Sequence, residues 1–149
     1  MSDPDFERLE YLLKVFNSLY YDSAVRLENR LVVDTDILID HLRGIEKAKE
    51  FLMEIENKTY TAFISVITKV ELLSGRKDER VLELFEILHT APLSDEIVAL
   101  AGDLRRKYKI GFPDALIAAT AITLNAELVT RNLKHYEMIE ELVIKDISE

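Results

Sequence analysis

Cysteine is absent from the 149-residue chain, so neither a disulfide nor a thiolate-held zinc site can be built from it. That absence is what a reducing cytoplasm leads one to expect. Long apolar runs are also missing: no segment approaches the ~18 uninterrupted apolar residues that a membrane helix needs. The first ten residues, Met1 to Glu10, are acidic where a secretory signal is basic and then apolar, so export is not expected. Internal repeats, low-complexity tracts and long linkers are lacking as well. Positive charge is scarce. Nineteen Lys and Arg stand against 28 Asp and Glu, a net charge of −9. Such a balance counts against a protein that grips nucleic acid by broad phosphate neutralisation. It is no obstacle if the acids gather at a metal, because a bound divalent cation reverses the local field. Two basic groupings remain, Arg105, Arg106, Lys107 and Lys109 in one and Arg76, Lys77 and Arg80 in the other. Each reads as a solvated helix face or as a nucleic-acid patch.

What is present is enough apolar sequence, 48 % of the chain, to enclose one hydrophobic core. Helical and strand-like segments alternate, which predicts an α/β layered domain with a mostly parallel sheet flanked by helices. Pro4 follows Asp3, and Phe6, Leu9, Leu12, Leu13, Phe16, Leu19 and Tyr20 then recur at helical spacing. Residues 1–30 therefore read as an N-terminal helical extension and 31–149 as the main domain. Strands are expected at Leu31–Val33, Tyr60–Ile64, Ala91–Leu93, Glu127–Val129 and Leu142–Ile144. Helices are expected over Ile37–Arg43, Ile45–Asn57, Ser65–Gly75, Val81–Leu88, from Ser94 to before Gly111, after Pro113, and from about Leu133. The segment Ala115–Ala121 is interrupted only by Thr120. A helix apolar all round is central and buried on every side.

The chemistry-bearing residues are acids. In doubly wound sheets, ligands bind beyond the carboxyl ends of the strands, where strand order reverses. Asp34 ends the apolar run Leu31-Val32-Val33, and Asp36 follows two residues later. Capping the next helix would account for Asp34 or Thr35, but not for both acids. Glu71, flanked by Val70 and Leu72 and one turn beyond Ile67, falls at or near a helix's buried face, or else is a surface residue on a helix with a broad apolar stripe. A buried carboxylate is costly unless it is paired or metal-bound. Asp114 stands in the first turn of the all-apolar helix, directly after Pro113. Complementing the helix dipole would be a modest role for it. The surrounding apolarity instead predicts a closed, poorly solvated position. Carboxylates converging on one pocket repel unless a cation lies between them. All-oxygen donors suit Mg²⁺ or Mn²⁺ rather than zinc, and such an ion serves phosphodiester hydrolysis. His41 and His89 are general-base candidates outside any motif, and His135 is better placed.

Four segments resemble the motifs of PIN-domain nucleases, in the family's order. They are Leu31 to Ile39 around Asp34, Ser65 to Leu72 with Glu71, Pro113 to Ala121 with Asp114, and Leu128 to Tyr136 as the closing motif. The resemblance covers the chain from about Leu31 and is closest to VapC-type toxins. It implies a PIN-like three-layer fold, to which the N-terminal helix is an addition. It implies a cytoplasmic Mg²⁺-dependent (or Mn²⁺-dependent) endoribonuclease with an RNA substrate, an antitoxin protein as partner, and a homodimer. It also implies Asp34, Glu71 and Asp114 as catalytic, metal-holding acids, supported by Asp36, Thr35 and Asn132. The closing motif departs from the family: Asn132 and His135 stand where a fourth acid is often found, which leaves a second metal position open. Two other readings stay on the table. One is a non-catalytic PIN-like interaction module. The other is a haloacid-dehalogenase-type phosphatase using Asp34 as nucleophile, which would leave Glu71 without a role.

Overall fold

The computed structural model describes residues 7–12, 29–57, 60–75 and 78–147. Five strands are described: β1 (Arg30–Val33), β2 (Thr61–Ser65), β3 (His89–Ala91), β4 (Glu127–Val129) and β5 (Ile144–Lys145). They form one sheet in the order β3-β2-β1-β4-β5, and every pair is parallel. The sequence pattern called for a mostly parallel sheet. The side-chain alternation of a strand sorts the core into two halves. Val32 and Phe63 face one cluster with Leu128, whereas Leu31, Val33, Ala62, Ile64 and Val129 face the other. Both faces are thus covered, as a parallel sheet requires.

Seven helices complete the layers after a short helical stretch at residues 7–12 (α1): α2 (Thr35–Leu42), α3 (Glu46–Glu56), α4 (Val66–Ser74), α5 (Glu79–Ile87), α6 (Asp95–Tyr108), α7 (Phe112–Thr123) and α8 (Leu133–Tyr136). Polar side chains cap several of them. Ser65 Oγ accepts from the Ile67 amide, Asp78 from those of Arg80 and Val81, and Ser94 Oγ from that of Ile97. α7 is the buried centre: Ala115 to Ala121 are all buried, and the lone hydroxyl among them, Thr120, donates to the Leu116 carbonyl at 2.7 Å. A buried polar group thereby finds its partner within the helix.

Two strands lie off their expected positions. β3 begins at His89 and stops at Ala91, because Pro92 has no amide to give the ladder. β5 is Ile144–Lys145, since Leu142 turns into the core while the Val143 carbonyl accepts from the Leu128 amide at 2.8 Å. Within α1, the Tyr11 ring meets Phe63 edge-on at 6.4 Å and lies 5.9 Å from His89, which docks the helix at the β2–β3 side of the sheet. Leu9 and Leu12 are exposed. Phe6, Leu13, Phe16, Leu19 and Tyr20 lie outside the described residues, as does most of the 1–30 extension. No helix among the described residues is long and apolar enough to cross a membrane.

Candidate active site

Strand order reverses between β1 and β4, which run side by side although nearly a hundred residues separate them. The residues just beyond these strands, Asp34 and Thr130, meet there. The Asp34 amide donates to the Val129 carbonyl at 2.9 Å, and Thr130 Oγ1 donates to Asp34 Oδ2 at 2.8 Å. Asp34 Oδ1 accepts from the Thr35 amide at 2.8 Å, so this acid is also the cap of α2. Capping and a place at the switch point belong to the same side chain. Asp34 is 5 % exposed. Burial, aided by the charge of Asp36, pushes its carboxyl up to about 6, against hydrogen bonds from Thr130, Thr35 and Tyr136.

Asp36 is half-buried one residue into α2, where Oδ2 accepts from the Arg131 amide at 2.9 Å. Its Oδ1 is buried without a hydrogen-bond partner. Burial raises this carboxyl as well, opposed by the backbone amides of Arg131 and Ile37 and by the Arg131 charge. Arg131 itself is held away from both acids, its guanidinium forking onto Asp40 at 2.8 and 3.1 Å.

The other two acids stand at the rim. Glu71 is exposed, not on the buried face of α4, because that face runs through Thr68 and Leu72. Its Oε1 nonetheless accepts from Thr35 Oγ1 at 3.0 Å, and the buried Thr68 hydroxyl backs Thr35 at 3.1 Å. Asp114 is 28 % exposed. The start of α7 opens to the surface, with Gly111, Phe112 and Pro113 all exposed, so the closed position expected for Asp114 is replaced by a ledge. Asp114 Oδ2 lies 3.1 Å from His135 Nδ1, and Oδ1 accepts from the Tyr136 hydroxyl at 3.1 Å. Tyr136 is fully buried, and its hydroxyl also favours the ionised form of the Asp34 carboxyl. Burial first, then the charges of Asp34 and Asp114, raise its hydroxyl far above the ordinary range, which keeps it a donor.

Asn132 is exposed, and its backbone amide, rather than its side chain, reaches the site by donating to Thr130 Oγ1 at 3.0 Å. Of the histidines, only His135 adjoins an acid of the site. His89 packs against Phe63 and Tyr11, and His41 lies in the last turn of α2 with its pKa lowered by burial and by Arg80 and Lys49. Thr130, Tyr136 and Thr68 were not singled out from sequence. Thr130 was findable, as the residue following β4 as Asp34 follows β1. Nothing in the spacing marks Tyr136.

In kind, this donor set fits a hard divalent cation. The donors are all oxygen, Asp36 Oδ1 lacks a partner, and no cationic side chain among the described residues pairs with Asp34, Asp36 or Glu71 within ion-pair distance. As placed, no three acid or histidine side chains among the described residues are close enough together to hold one ion. A shared ion requires Glu71 and Asp114 to turn inward toward the fixed pair Asp34 and Asp36.

Comparison with known proteins gives a consistent result. The family model described as "PIN domain" matches residues 31–140. Ribonuclease VapC10 of Mycobacterium tuberculosis is 36 % identical over 120 residues, covering 75 % of this chain and 90 % of that protein. Ribonuclease VapC1 of Methanocaldococcus jannaschii is 34 % identical over 127 residues, covering 79 % and 87 % respectively. Among solved structures, a toxin–antitoxin complex from Klebsiella pneumoniae contains a chain with 34 % identity and a TM-score of 0.67, over 76 % of this chain and 95 % of that one.

Proposed function

The chain belongs to the PIN-domain family, homologous to VapC ribonucleases, and on that footing we propose that it is a metal-dependent endoribonuclease, the toxin of a toxin–antitoxin pair. The observation that carries the reading is the state of Asp34 and Asp36. Both are desolvated at the switch point of the sheet, both have raised pKa values, and one oxygen is left without a partner. A pair of carboxylates held at such a cost calls for a cation. Asp34, Glu71 and Asp114, with Asp36, would hold Mg²⁺ or Mn²⁺. When bound, such an ion lowers the pKa of water and stabilises charge at a phosphoryl centre.

The protein's own groups prepare that chemistry. Thr130 and the Thr35 amide fix both oxygens of Asp34, so its orientation is set before substrate arrives. The Thr68–Thr35 hydroxyl pair tethers Glu71. Tyr136 spans Asp34 and Asp114 with one hydroxyl, spacing the buried acid from the rim acid. His135 stands beside Asp114, where it can hold a proton near a leaving oxygen.

RNA is the proposed substrate and a basic antitoxin the proposed partner, drawn by the net charge of −9. An antitoxin arginine suits the acidic pocket by two-point pairing. A homodimer and a cytoplasmic location complete the proposal. Incubation of single-stranded or looped RNA with purified protein is the test. Cleavage with Mg²⁺ or Mn²⁺ and none in EDTA is expected, and equal digestion in chelator overturns the metal mechanism.

A non-catalytic interaction module remains the second reading, favoured by the open spacing of the acids and by Asn132 and His135 at the closing motif. A Mn²⁺ titration separates the two, since a scaffold binds no ion through Asp34. Membership of the PIN family replaces the phosphatase reading.

A further inference from the structure

The turn between α6 and α7 carries positive charge and an aromatic ring against the trend of an acidic chain. Four of the five residues 105–109 are Arg or Lys. Two of these charges are taken up locally, Arg106 by Asp103 and Lys107 by Glu141 at 3.0 Å. Arg105 and Lys109 are exposed and have no carboxylate partner among the described residues. Lys109 also occupies the left-handed cap of α6, at φ 56°, a position that favours glycine. Together with Gly102, Arg106 and Ile110 they line a surface recess of about 540 Å³.

Next to this recess stands Phe112, at 59 % exposure one of the two most exposed large apolar side chains described. The Arg105 guanidinium lies over its ring, 6.0 Å from the centroid, and Arg105 Nε is anchored on the Ile110 carbonyl at 3.3 Å. Asp114 is two residues further on. Its Oδ2 lies back over the turn, 3.9 Å from where a Cβ on Gly111 would stand. A guanidinium over one side of an exposed ring leaves the other side free for a flat partner. Cations without a carboxylate partner, on the turn that leads into the helix bearing Asp114, suit an anion leading into that site.

We propose that Phe112, Arg105 and Lys109 form a subsite for single-stranded RNA, with an unpaired base stacked on Phe112 and the adjoining phosphates held by Arg105 and Lys109. Every base has a face that can stack on an aromatic ring, so the subsite is indifferent to sequence and selective for unpaired strands. A base in a duplex is already stacked and cannot reach the ring. The inference rests on the ribonuclease reading and adds to it the residues that hold the strand and the side from which the strand enters.

Fluorescence anisotropy of a labelled single-stranded oligoribonucleotide, and of the same sequence as a duplex, tests it on the full-length protein kept in EDTA. Phe112→Ala is expected to weaken single-strand binding about tenfold or more, while Phe112→Trp retains it. Duplex binding is expected to be the same for all three proteins. Lys109→Ala is expected to reduce the slope of log K against log salt by about 0.7, the loss of one phosphate contact. Melting temperature should not move for Phe112→Ala, because the ring is exposed. If wild-type protein binds RNA in EDTA and cleaves it once Mg²⁺ is supplied, and Phe112→Ala matches it in both, the subsite falls and the ribonuclease reading stands. If wild-type protein neither binds nor cleaves RNA, both fall. A Phe112→Ala protein that keeps RNA affinity but changes its mass in solution, or loses affinity for an antitoxin, shows the ring to be a protein contact and also overturns the subsite.

Discussion

Asp34 and Asp36 differ from Glu71 and Asp114 in everything but charge. The first pair follows a central strand, is anchored by hydrogen bonds across the sheet, and is desolvated, Asp34 almost wholly and Asp36 in part, to the point that both pKa values rise. The second pair rides on helices at the rim, with one hydroxyl tethering Glu71 and a tyrosine and a histidine flanking Asp114. In the proposed metal site, acids fixed by the fold would define where a cation sits. Acids at the rim would have to turn inward to share it. A site built from one fixed half and one adjustable half stays open to substrate without losing its position.

If that division holds, either half is indispensable for activity, yet only one strains the fold. Asp34→Asn and Asp114→Asn are each expected to lower RNA cleavage on the order of 100-fold or more, the loss of several kcal/mol of charge stabilisation. Their melting temperatures should part company. Asp34→Asn raises that of the metal-free protein at neutral pH, whereas Asp114→Asn leaves it nearly unchanged. Side-by-side kinetics and thermal melts check this, and equal shifts in stability would erase the distinction between the halves.

The pH dependence of stability sharpens the same contrast. Asp34 holds its proton to about pH 6 in the folded chain against an ordinary value of 3.8, so the folded state binds more protons between those values. Stability of the metal-free protein therefore falls as pH rises from about 4 to about 6 and levels off above. The contribution of this group is about 3 kcal/mol at most. Asp36 acts with the same sign. Denaturant melts across that range should show the decline in wild-type protein and a flatter profile in Asp34→Asn. Saturating Mn²⁺ should also flatten it, by favouring the ionised acids.

Smaller effects probe the links between the halves. Tyr136→Phe removes the hydroxyl shared by Asp34 and Asp114 and should cost about 1 kcal/mol, raising the Asp34 pKa further because a hydrogen bond to its charged form is lost. Titration of the Asp34 carboxyl by NMR reads this directly. Thr35→Val should cost about 1 kcal/mol or less, by leaving the buried Thr68 hydroxyl without its partner. It should also loosen Glu71, read as weaker Mn²⁺ binding in calorimetry with the Asp34 pKa unmoved.

Much of this was legible beforehand. Short apolar runs marked β1, β2 and β4, and the apolarity of Ala115 to Ala121, broken only by Thr120, marked α7 as the buried centre. Asp34 stood out because an acid directly after a buried strand has few bland explanations. The open position of Asp114, and which of its two readings holds for Glu71, are not legible in sequence, because apolar neighbours do not reveal which way a helix face or terminus opens. Val70 beside Glu71 is itself exposed, and Phe112 before Asp114 is more exposed still.

By itself, then, the sequence determined the elements, their order, and the acids set at their ends, since periodicity and capping act within a turn of helix or a few residues of strand. Only the tertiary structure decided that β4 lies against β1. That pairing delivers Thr130 to Asp34 across 96 positions of chain and brings Tyr136 between Asp34 and Asp114. No local pattern encodes such a meeting. It follows from covering both faces of one parallel sheet, which settles strand order only when all the helices have found their places.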